Sequence, residues 1–121
     1  MSIRSINESN LVVLFQRVHA YLLDKHRFTH SNMTRVTLAN AIQTNEKYLV
    51  QAVRVFSGGL TLGQFIEQLR MEYAKKMLKE KTHLTVDEIA AASGIKSRST
   101  FYRLFRKHYG CSPCEYQQKT Y

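Results

Sequence analysis

One supersecondary pattern occurs twice along the chain, and it restricts the fold more than any other feature. Leu38-Ala39 corresponds to Ile89-Ala90, Leu49 to Phe101 and Gly58 to Gly110. Each copy has a short segment of helical apolar spacing, a tight turn, a second such segment and a glycine stop. The offset between copies grows by one residue. The extra residue falls in the second turn, where an insertion alters the loop and leaves both packing faces intact. Two short helices set steeply across a turn of three or four residues form a helix-turn-helix.

Capping residues mark where these helices start. Thr34 is placed to cap a short helix carrying Val36, Leu38, Ala39 and Ile42. Gln43, Thr44 and Asn45 form the turn, and Asn45 caps a helix that turns Leu49, Ala52, Val53 and Phe56 inward and Lys47, Val50, Gln51 and Arg54 outward. Thr61-x-x-Gln64 is a capping box that opens the longest helix. Its buried side holds Leu62, Phe65, Ile66, Leu69, Tyr73, Ala74, Met77 and Leu78, and its wet side Glu67, Glu72, Lys75 and Lys76. Thr85-x-x-Glu88 opens a short helix with Val86, Ile89 and Ala90 inside, and Gly94 closes it. Ser97 caps the next helix, which buries Phe101, Leu104 and Phe105. Ser112, with Pro113 in the first helical position and Glu115 three residues after the cap, starts the last one.

Ahead of the repeat, Leu11, Leu14, Phe15, Val18 and Leu22 recur at helical spacing, and the polar stretch 26–32 breaks that pattern. The expected fold is all-α: seven helices forming two helix-turn-helix subdomains joined by a long central helix. Within one domain over 1–121, the expected parts are a packing helix at 9–27, the first helix-turn-helix at 34–58, a linker helix at 61–79, the second helix-turn-helix at 85–109 and a terminal helix at 112–118.

Charge narrows the partner. Eighteen Lys and Arg against nine Asp and Glu give a net charge of +9, which suits a polyanion, and nucleic acid and anionic membrane both qualify. The longest apolar run, Leu11 to Phe15, is far below the roughly 20 residues that cross a bilayer, and no signal-peptide pattern opens the chain. A cytoplasmic protein without membrane contact is expected. Two cysteines are too few for the disulfide framework of a small secreted domain.

After Gly94 the chain carries Lys96, Arg98, Arg103, Arg106, Lys107 and Lys119 against Glu115, so the second unit is the more basic. On its second helix Arg98, Ser99, Tyr102 and Arg103 form a narrow outward strip, in which a guanidinium suits guanine O6 and N7. Lys47, Val50 and Gln51 are the corresponding strip of the first unit, with Gln51 suited to adenine and Val50 to a thymine methyl. Arg54, Arg106 and Lys107 lie about a turn further on and suit phosphates, which fix register without reading sequence.

The segments Thr85-Val86-Asp87-Glu88-Ile89-Ala90 and Gly94-Ile95-Lys96-Ser97-Arg98-Ser99-Thr100-Phe101-Tyr102-Arg103-Leu104-Phe105-Arg106-Lys107, with Gly110 and Ser112-Pro113-x-Glu115-Tyr116, resemble the signature of the AraC/XylS family. The first unit is similar to it more loosely, through Leu38-Ala39, Tyr48-Leu49, Gly58-Gly59 and Leu69-Arg70-Met71-Glu72-x-Ala74. The resemblance implies a transcriptional activator's DNA-binding domain whose two reading helices occupy successive major grooves of double-stranded DNA. Lys47, Val50, Gln51, Arg98, Ser99, Tyr102 and Arg103 would contact bases, with no cofactor and no metal. It also implies RNA polymerase as a partner, and a sensor or dimerisation domain ahead of this one. Val50 departs from the small or polar residue usual in the family, and Ala52-Val53 from a bulky pair that includes an aromatic. Weaker packing and readout in the first unit are therefore expected.

Two rival readings stand beside this one. Cys111-x-x-Cys114 with His108 has the spacing of a thiol pair or part of a metal site, but the βαβ context of such a redox pair and a fourth zinc ligand are lacking. A basic protein-interaction or membrane-surface module would instead show a basic amphipathic helix and weak sequence preference. No paired carboxylates, glycine-rich phosphate loop or nucleophile-base pattern points to catalysis.

Overall fold

The computed structural model describes residues 8–80 and 83–119. Among them are seven α-helices, α1 (Glu8–Leu23), α2 (Arg35–Ile42), α3 (Glu46–Phe56), α4 (Leu62–Glu80), α5 (Val86–Ala92), α6 (Arg98–Tyr109) and α7 (Pro113–Lys119), and one 3-10 segment, Asp24–Thr29. The chain divides into two compact units, Met1–Ile66 and Glu67–Tyr121, and α4 runs through the boundary.

In the first unit α1 packs against both α2 and α3. Leu11, Leu14, Val18 and Leu22 of α1 are buried, as are Leu38, Ala39 and Ile42 of α2 and Leu49, Ala52 and Val53 of α3. Ala52 and Val53 are too small to fill a core with aromatic bulk, and α1 supplies it: the Phe15 ring lies 5.9 Å from Phe56 and 5.5 Å from Phe65. An Arg17 guanidinium nitrogen donates to the Ile42 carbonyl, so α1 also satisfies an orphan acceptor at the end of α2.

The leading helix is shorter than its periodicity suggests. It ends at Leu23, not Arg27, because Lys25 and His26 adopt left-handed φ of 55° and 52° and the backbone tightens into the 3-10 segment. Within the stretch expected to be a polar break, Phe28 is buried, set edge-on to the His26 ring. Val36 of the short α2 is 51% exposed, since only Leu38, Ala39 and Ile42 of that helix are buried.

The second unit has one core. Met71, Ala74, Met77 and Leu78 of α4 meet Ile89 and Ala90 of α5, Phe101, Leu104 and Phe105 of α6, and Cys111. Ile95 joins them, so the longer turn of the second copy dips one side chain into the interior while its Ile95 amide donates to Ala90. Met71 is fully buried although it lies off the helical stripe set by Leu62, Phe65, Ile66 and Leu69.

The capping residues act as their types require. Thr34, Asn45, Thr85 and Ser97 each accept from the backbone amide three residues on. Thr61 with Gln64, Thr85 with Glu88, and Ser112 with Glu115 close reciprocal boxes. Gly110 caps α6 at φ 76°, a conformation glycine adopts without strain.

Candidate nucleic-acid interface

Each unit presents the outer face of a second helix. On α3, Lys47, Gln51 and Arg54 are exposed and Val50 is half-buried. With Arg35 and Glu46 they line one surface groove. Asn45 sets the start of this face, accepting from the Tyr48 amide at 2.7 Å. A second groove, lined by Val36, Val50, Arg54 and Thr61 among others, adjoins it.

On α6, Arg98, Ser99 and Arg103 are exposed and Tyr102 is half-buried. These residues are not equally free. Arg98 pairs with Asp87 at 3.3 Å and stacks over the Tyr102 ring, its guanidinium carbon 5.2 Å from the centroid. The Tyr102 hydroxyl lies 3.3 Å from Cys114 Sγ. That contact, with burial, holds the phenol above its ordinary pKa and keeps it a neutral hydrogen-bonding group. Ser99 shares a hydroxyl contact with Ser97 at 3.1 Å. Among the described residues no ion pair holds Arg103, Lys47 or Arg54, so these cations meet an incoming polyanion without first giving up a carboxylate.

The three residues expected at phosphates therefore differ. Arg54 is unpaired. Arg106 is 3.4 Å from Glu115, and Lys107 is 3.0 Å from Glu67, so both must exchange an internal partner for a phosphate. Glu67, expected on the wet side of α4, is half-buried and also accepts from His108 Nε2 at 2.7 Å. Burial pushes its carboxyl up, but the bonds from His108 and Lys107 outweigh this and hold it below the usual carboxylate range. No single residue marks this cluster in sequence, because its partners lie about forty positions apart.

Cys111 is buried in the core and Cys114 is exposed on α7; both are free thiols. His108, the third member of the thiol or metal reading, is engaged by Glu67. Among the described residues no group of three His, Cys, Asp or Glu side chains is placed to hold a metal ion. Nor is any helix among them long and apolar enough to cross a membrane.

Two helix pairs with capped second helices and basic outer faces define a tandem helix-turn-helix protein. Residues 38–119 match the helix-turn-helix domain family model. The chain belongs to the AraC/XylS family of DNA-binding transcriptional regulators. It is 31% identical over 106 residues to the uncharacterized HTH-type transcriptional regulator YijO of Escherichia coli, covering 88% of this chain and 36% of that protein. It is also 32% identical over 82 residues to the probable transcription factor PqrA of Proteus vulgaris, covering 68% of this chain and 66% of that one. The chain thus spans about a third of one relative and just under two thirds of the other.

Among solved structures, the C-terminal domain of AraT, a response regulator from Geobacillus stearothermophilus, superposes with a TM-score of 0.78 at 26% identity, over 90% of this chain and 87% of that one. The DNA-binding domain of AdpA, a global transcriptional factor solved with a target DNA, shares the fold with a TM-score of 0.74 at 24% identity, over 87% of this chain and 90% of that one.

Proposed function

We propose that α3 and α6 are two reading helices which enter successive major grooves of one duplex, so that a single chain occupies an asymmetric site. The observation that carries this reading is the matched placement of two strips at the leading end of the second helix of each pair: exposed Lys47 and Gln51 beside half-buried Val50 on α3, and exposed Arg98, Ser99 and Arg103 beside half-buried Tyr102 on α6. These seven residues contact bases. Arg103 reads guanine through O6 and N7, Gln51 reads adenine and Val50 meets a thymine methyl. Arg54 grips a phosphate directly, and Arg106 and Lys107 do so after leaving Glu115 and Glu67.

In the cell the domain acts as the DNA-binding part of a cytoplasmic activator. It works with RNA polymerase and with a sensor or dimerisation domain joined to it, and it carries no cofactor and no catalytic step. The AdpA domain with its target DNA supports this reading. So does the chain's partial coverage of its relatives.

Selection of bound duplexes from a random pool near physiological salt tests it, since specific affinity must be separated from a salt-dependent background. Enrichment of one duplex motif is expected. A pool that stays random while binding weakens steeply with salt would reduce the protein to a general polyanion binder.

A further inference from the structure

The two helix pairs carry mirrored ion pairs at the leading ends of their reading helices. In the first unit Arg35, the first residue of α2, donates through Nε to Oε1 of Glu46, the first residue of α3, at 2.9 Å. In the second unit the signs are exchanged: Asp87 on α5 holds Arg98, the first residue of α6, at 3.3 Å. Both pairs join residues eleven positions apart. The leading residue of one reading helix is thus an acceptor and that of the other a donor.

An acid on a face that meets a polyanion is repelled unless its charge is offset. Here Arg35 offsets it at contact distance, and the groove around Glu46 also holds Lys47 and Arg54, leaving three cations against one acid. The pair uses Oε1 alone, so Oε2 is left to accept from another donor. In the major groove the donors are the exocyclic amines of cytosine and adenine. Beside the adenine amine lies the N7 acceptor, which repels a carboxylate, whereas cytosine offers its amine without one on the same base.

We infer that Glu46 is a specificity-determining residue that selects cytosine at one position of the half-site read by α3, with Arg35 as the residue that positions it. This rests on the proposed reading of DNA by α3. The carboxylate accepts from the cytosine amine, and Val50, one turn along the same face, meets the neighbouring base.

The test is selection from a random duplex pool with the whole chain, as wild type, Glu46→Ala and Glu46→Gln, and with thermal unfolding followed for each. Wild type is expected to favour cytosine at one position by about tenfold, as a hydrogen bond to a charged group permits. Glu46→Ala flattens that position alone and leaves the others enriched. Glu46→Gln shifts it toward adenine, which an amide can bond at N6 and N7 together. A wild-type motif that Glu46→Ala leaves intact overturns the inference and spares the reading by α3. So does a uniform loss over the half-site, which would mean that the ion pair only holds α2 to α3. A wild-type pool with no enriched position overturns both.

Discussion

His108 Nε2 donates to Glu67 Oε2 at 2.7 Å, tying the last turn of the basic helix α6 to α4. Lys107 adds a second bond to the same oxygen. The position of α6 in its unit therefore depends on one carboxylate as well as on the apolar core.

Replacing Glu67 by Gln is expected to destabilise the chain by about 1 kcal/mol near neutral pH, at the lower end for bonds to a charged group because the site is partly solvated. The folded carboxyl titrates below its ordinary range, so its contribution is present above the unfolded value and is lost as pH falls through the folded one. Urea unfolding of wild type and variant should give curves that differ near neutrality and converge in acid. A gap that stays constant with falling pH would contradict the role given to the charge.

Arg103 and Arg98 are expected to behave differently on truncation. Arg103 is exposed and unpaired among the described residues, so Arg103→Ala should cost about 1–3 kcal/mol of specific binding and relax one base position. Arg98 is already held by Asp87 and Tyr102, so Arg98→Ala also gives up an internal ion pair and ring contact. Titration against single-base variants of the selected duplex separates these effects. Equal loss on every sequence after Arg103→Ala would make it a phosphate contact.

Arg17→Met is expected to weaken the first unit by about 1 kcal/mol, because it leaves the Ile42 carbonyl at the end of α2 without its donor from α1. Protection at the α3 half of a bound duplex should fall while that at the α6 half persists. Loss at both halves together would show that the two units fold as one.

Under native conditions one thiol should alkylate quickly and the second only on unfolding, since Cys114 is exposed and Cys111 is in the core. Mass analysis after a brief exposure to iodoacetamide should show a single adduct on 113–119. Two adducts at equal rates, or zinc retained through dialysis, would revive the thiol or metal reading.

Helix starts were legible in sequence because a cap is a local event: Thr34, Asn45, Thr85 and Ser97 meet partners three residues away. The end of α1 was not, since apolar spacing says nothing of the left-handed backbone at Lys25 and His26. The burial of Met71 is not legible in sequence because α4 contributes to both units, and a single stripe cannot describe a helix whose buried residues change along its length. The outward strips on α3 and α6 followed from helical spacing. Which of their cations are already paired did not, because Asp87 and Glu67 lie on other helices. The sequence does not mark Glu46 as a site residue, because an acid at a helix start is well explained by the helix dipole and its bond to Arg35 appears only once α2 and α3 are folded together.

Footprinting of the selected duplex tests the central claim most directly. Two reading helices in successive major grooves predict one asymmetric protected stretch of about two helical turns, bound by a single chain. Protection of about one turn, or a symmetric site that fills only with two chains, would contradict it.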